Sequence, residues 1–141
     1  MDVDALIEGF EYDLWANLLW VEPARRSGQE DLFRHILAAQ AVWLARCRDV
    51  PIGAATEGDL EEIARDQSGA WISYLRAADP GSPIRYRREE KDFVNPIHEI
   101  ARHVVNHGTY HRGQMRGVCG ERGIEFPETD FIRFCREREQ G

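Results

Sequence analysis

Residues 95–123 read NPIHEIARHVVNHGTYHRGQMRGVCGERG, and the reading of this stretch decides the fold class. Asn95 suits a helix N-cap and Pro96 the first helical position. Gly123 and Pro127 close the segment, so the pattern predicts the longest helix of the chain, from Pro96 to about Glu121. At about 100° per residue, Ile100, Val104, His107, His111, Met115 and Val118 fall within about 80° of arc. One face is thus apolar apart from two histidines one turn apart. His98 falls on roughly the opposite face, where solvation is expected, and His103 on the flank.

The same spacing recurs upstream. Leu6, Phe10, Leu14, Leu18 and Val21 mark a first helix from Asp2 to Glu22, closed by Pro23 and Ser27-Gly28. A second runs from about Glu30 to Asp49, with Leu32, Phe33, Ile36, Leu37, Gln40, Trp43, Leu44 and Cys47 on one broad face. A third starts near Asp59, an N-cap, and carries Leu60, Ile63, Ala64, Trp71, Tyr74 and Leu75 to a stop at Asp79-Pro80-Gly81. The stretch SPIRYRREEKDF, residues 82–93, is charged and partly alternating, an irregular crossover or a small hairpin. Thr129 caps a short last helix around Phe131, Ile132, Phe134 and Cys135. The expectation is one all-α domain over 1–141: a four-helix bundle with a short irregular crossover and a short C-terminal helix.

Composition narrows the function. The chain has 141 residues, and 18 basic against 25 acidic side chains give a net charge of −7. That balance disfavours a nucleic-acid or membrane-surface binder, since either needs a basic face. No window approaches the roughly 18 apolar residues of a membrane span. The acidic start MDVDALIEGFEYD has no cationic n-region, so nothing reads as a signal peptide. Three well-separated cysteines, Cys47, Cys119 and Cys135, form neither a disulfide framework nor a CxxC knuckle, and the cytoplasm is the default compartment.

Chemistry concentrates in the histidines, four of five of which lie in the long helix. Imidazoles at i and i+4 can hold one transition-metal ion from adjacent turns, the logic of HExxH, although the Glu of that motif is absent. The alternative is a pair of semi-buried histidines hydrogen-bonded to neighbouring helices. His35, early in the second helix, supplies a third imidazole if its flank faces the long helix. Three neutral imidazoles would leave a position open for substrate, as in a catalytic site.

Four segments in order resemble the DinB/YfiT-like family of metal-dependent enzymes. They are Tyr12-Asp13-Leu14-Trp15-Ala16-Asn17, His35-Ile36-Leu37-Ala38-Ala39 leading to Trp43-Leu44, His107-Gly108-Thr109-Tyr110-His111-Arg112-Gly113-Gln114, and Gly123 to Asp130. The resemblance covers nearly the whole chain. It implies an up-down-down-up four-helix bundle, a divalent transition metal (zinc or nickel) held by His35, His107 and His111, and a homodimer. It also implies transfer of a low-molecular-weight thiol to an electrophile, or hydrolysis of a small molecule, on a small-molecule substrate. The departure from the family is a short connection between the first two helices.

Gln114 faces inward on the helical wheel and can orient a ligand or make a core hydrogen bond; Tyr110 is a further candidate beside the site. Arg112 faces away from the stripe and reads as a structural salt-bridge donor. Trp15, Trp20, Trp43 and Trp71 read as core or interface aromatics. The competing function is a non-catalytic stress-response or binding module whose histidines fill the core.

Overall fold

The computed structural model describes residues 2–53 and 57–140. Five helices and one small antiparallel sheet follow in the order α1 (Val3–Arg26), α2 (Glu30–Arg48), α3 (Leu60–Ala77), β1 (Pro83–Arg88), β2 (Lys91–Pro96), α4 (Ile97–Arg122) and α5 (Phe131–Gln140). The chain is mostly helical, as its periodicity predicts. α1 packs against α3 and α4, α2 against α4 and α3, and α5 against α1.

Two helix starts carry side-chain caps, of which Asp59 is the one the sequence predicts. Asp2 accepts from the Asp4 amide at 3.0 Å at the head of α1, and Asp59 accepts from the Glu62 amide at 3.0 Å at the head of α3. Pro23 does not close α1. The helix runs through it to Arg26, because a proline near the end removes one backbone bond and the last carbonyls find other donors. Ser27 N–H bonds the Pro23 carbonyl at 3.0 Å and Gln29 N–H the Ala24 carbonyl at 2.7 Å, while Gly28 at φ 74° turns the chain into α2.

The crossover is not irregular. Residues 83–96 form a regular hairpin in which Ile84 pairs with Asn95 and Tyr86 with Phe93. Its two-residue turn is Glu89-Glu90, with φ 52° and 65°. A turn with both residues at positive φ matches the twist of the strands and favours Asn-Gly or Asp-Gly; a Glu-Glu pair carries no such signal. Asn95 therefore serves the hairpin instead of capping α4. It accepts the Tyr86 hydroxyl at 2.6 Å and donates to Glu99 at 3.1 Å. Pro96 takes the cap position, and the first α4 amides, of Ile97 and His98, donate to the carbonyls of Ser82 and Pro80. Thr129 likewise does not cap α5, which begins at Phe131. Its hydroxyl accepts from the Trp20 indole at 3.1 Å and its carbonyl from the Tyr12 hydroxyl.

The interior has three layers along the helix axes. At one end Leu6, Phe10, Leu44, Trp71, Ile100 and Val104 form an apolar cluster, with Phe10 and Trp71 stacked at 4.9 Å. At the other, Trp20, Val21, Phe33, Ile36, Leu37 and Met115 form a second. Between them Asp13, Asn17, Gln40 and Arg112 are buried. The single residue steps that set this order are visible on α1, where Phe10, Asp13, Asn17 and Trp20 follow at helical spacing on the buried face.

Candidate metal centre

His107 and His111 stand one turn apart on α4, with ring centroids 4.5 Å apart. His35 approaches both from α2, at 5.0 Å from His107 and 4.9 Å from His111. It gets there because α2 is packed between α3 and α4. Ile36, Leu37 and Gln40 fill the interior, and the flank carrying His35 turns towards α4. One ring nitrogen of each histidine lies within 4.8 Å of the others. His35 is exposed and the other two are half-buried, so the cluster opens to solvent and belongs to neither apolar layer.

The donor set fits a transition-metal ion. Three imidazoles bound tetrahedrally at 2.0–2.1 Å need nitrogens about 3.3 Å apart, which small side-chain rotations of partly exposed rings can reach. Burial, together with the neighbouring His111, His35 and His103, lowers the His107 pKa to about 4. The ring is thus neutral at physiological pH, as a ligand must be. The His111 Nδ1 lies 3.0 Å from Gln114 Oε1. An amide oxygen only accepts, so the proton sits on Nδ1 and the Nε2 lone pair is free.

Several expectations shift at this point. Gln114 is exposed, not directed into the interior, and meets His111 from the solvent side. Tyr110 is 72 % exposed with its ring edge-on to His111 at 5.1 Å. His103 is exposed, and its ring stands 5.9 Å from His107 and 5.3 Å from Trp43. His98 is half-buried, with a buried Nδ1 that has no partner among the described residues, so full solvation does not hold. The hairpin lies over the start of α4 and covers it.

Arg112 makes the salt bridge expected of it, but inside the protein. Its Nη1 donates to Asp13 Oδ1 at 2.9 Å and Asn17 Oδ1 at 2.7 Å. The other Asp13 oxygen accepts from Gln40 and, at 3.3 Å, from Asn17. Burial holds the Asp13 carboxyl above the usual carboxylate range, and the Arg112 charge and the bonds from Arg112 and Gln40 offset only part of that rise. Gly108 makes room for this: a Cβ there would lie 2.6 Å from Asp13 Oδ1 and 3.0 Å from Arg112 Nη1. The sequence points to Arg112 as a salt-bridge donor but does not mark Asp13 or Asn17 as its partners. The available signal was two polar residues, Asp13 and Asn17, four apart on an apolar helix face.

A cavity of about 590 Å3 lies on the far side of α4, between α1 and the segment preceding α5, and contains none of the three histidines. A smaller one of about 260 Å3 reaches the cluster side through His103.

The DinB family model matches residues 27–141, a range that holds all three histidines. Over 75 residues the chain is 27% identical to the protein DinB of Bacillus subtilis (strain 168), covering 52% of this chain and 44% of that protein. The match thus spans less than half of the relative's length. No solved structure matches.

Proposed function

The chain belongs to the DinB family, and from that premise we propose that it is a metal-dependent enzyme acting on a small molecule. His35, His107 and His111 would hold one divalent ion, zinc or nickel, within an up-down-down-up bundle of α1–α4 that forms a single domain and pairs as a homodimer. The observation that carries this reading is the convergence of three imidazoles from two helices at a solvent-open position. Histidines that merely fill a core would be packed and hydrogen-bonded within it; His35 is exposed, and His107 and His111 are only half-buried.

Such an ion supplies Lewis acidity, lowering the pKa of a thiol or water brought to it. The protein supplies orientation. Gln114 holds the His111 proton on Nδ1, and Tyr110 flanks the same ring. The Arg112–Asp13 pair ties α4 to α1 just behind His107 and His111, so both rings stay turned to α2. Transfer of a low-molecular-weight thiol is favoured over hydrolysis, because a thiol is the softer ligand and is more readily deprotonated at neutral pH. The cytoplasm, where such thiols are kept reduced, is the matching compartment.

The test is a panel of low-molecular-weight thiols offered with an activated aryl halide to the ion-loaded protein. Thiol-dependent halide release that disappears in His107→Ala supports the enzyme. Protein purified untagged from metal-replete cells with no bound ion would instead support a non-catalytic binding or stress-response module.

A further inference from the structure

The hairpin borders a solvent-open cleft of about 260 Å3 against α2 and α4, and this cleft reaches towards the histidine cluster at His103. Its walls are aromatic. Trp43 meets Tyr86 at 5.0 Å and His103 at 5.3 Å, both edge-on. On the Asn95 side the polar groups are already engaged, since Tyr86 donates to Asn95 and Asn95 to Glu99.

The cations are not so engaged. Arg88 lines the cavity and makes no ion pair among the described residues. Arg46 lies over the Trp43 and Tyr86 rings, at 4.5 and 5.3 Å, and it too has no carboxylate partner among the described residues. Arg87, the neighbour of Arg88 on β1, is by contrast paired with Asp92 at 3.5 Å. In a chain of net charge −7, two guanidinium groups with no ion-pair partner among the described residues form a local anion site beside a cavity whose one lining carboxylate, Glu99, already accepts from Asn95. A guanidinium fork matches a carboxylate in two parallel hydrogen bonds, and ring walls accept an aromatic edge or face. The volume falls below the range of drug-sized pockets and suits one ring.

We propose that this cavity is the recognition subsite of the histidine centre and takes an aromatic carboxylate of about one ring, held by Arg88 and walled by Trp43 and Tyr86. Its catalytic meaning rests on the metal-dependent reading of the three histidines, whereas its binding does not need the ion.

Benzoate titrated into chelator-stripped protein, followed through the Trp43 indole N–H by NMR, separates the two. The expected result is a saturable shift that Arg88→Gln weakens about ten-fold, as the loss of a charge-assisted contact should. Arg85→Gln, on the opposite face of β1, should leave it unchanged, and benzamide, the neutral isostere, should bind weakly and ignore Arg88→Gln. His35→Ala should bind benzoate normally, so failure of the metal reading leaves this result standing. No saturable shift, equal affinity in a folded Arg88→Gln variant, or binding only when the ion is present would each overturn the proposal. The last would mean that the carboxylate goes to the metal.

Discussion

The guanidinium of Arg112 on α4 donates to the carboxylate of Asp13 on α1 at 2.9 Å, both side chains being almost wholly buried. The pair joins two distant segments of sequence, residues 12–17 and 107–114, in one layer of the interior. It lies directly behind the histidines, because Gly108 and Arg112 alternate with His107 and His111 along the same two turns of α4. The residues that face solvent could hold an ion, and those that face inward fix where the first set points.

Removing one member of the pair should be severe. Asp13→Asn or Arg112→Met leaves the other group buried without its partner, which typically costs about 3–5 kcal/mol. The double variant should lose less than the sum of the two, since no lone charge remains. Urea unfolding of the three variants measures this, and additive losses would show that the two groups are not coupled.

Glycines in the same helix should respond with opposite signs. Gly108→Ala drives a methyl into Asp13 and Arg112 and should destabilise by about 1–3 kcal/mol, as overpacking does. Gly113→Ala meets nothing within 4 Å and should stabilise by up to about 1 kcal/mol through helix propensity. Unfolding midpoints of the two variants check the contrast.

The metal-free protein should lose stability in acid through His107. Its folded pKa of about 4 lies below the unfolded value near 6.5. Between those limits the unfolded chain binds the extra proton, so stability falls as pH drops from about 6.5 to about 4 and rises again as pH returns. The ring is partly exposed, and solvent screening limits the size of the effect. Thermal midpoints of chelated protein across that range should decline, with a shallower decline in His107→Gln.

How far the sequence carried differs between elements. Helical periodicity located all five helices, and Asp59 caps where its residue type predicts, whereas Asn95 and Thr129 are drawn into other bonds. The hairpin stayed one of two readings of residues 82–93 because its turn residues, Glu89 and Glu90, are poor carriers of positive φ. His35 looked misplaced when judged by its own helix alone. Its flank meets α4 only because α2 is packed between two partners, a tertiary fact that a single helical wheel does not contain. The polar layer was hidden for a similar reason: Asp13, Gln40 and Arg112 are each unfavourable inside until the other two are present.

Association should be visible in solution. Phe131 and Ile132 at the start of α5 are exposed, and Phe131 borders the larger cavity on α1 and α4. Light scattering at micromolar concentration should give about twice the 16.3 kDa chain mass, and a monomer at that concentration would remove the homodimer from the account.

The central claim is that His35, His107 and His111 hold one ion and His103 does not. Metal content per chain, measured on folded, untagged His35→Ala, His107→Ala, His111→Ala and His103→Ala proteins after zinc or nickel loading and dialysis, tests it most directly. Circular dichroism and an unfolding curve for each variant separate ligand loss from a cavity effect. The account predicts close to one ion per chain in the unsubstituted protein and in His103→Ala, and little or none in the other three. Full retention in folded His35→Ala, or equal loss in folded His103→Ala, would contradict it.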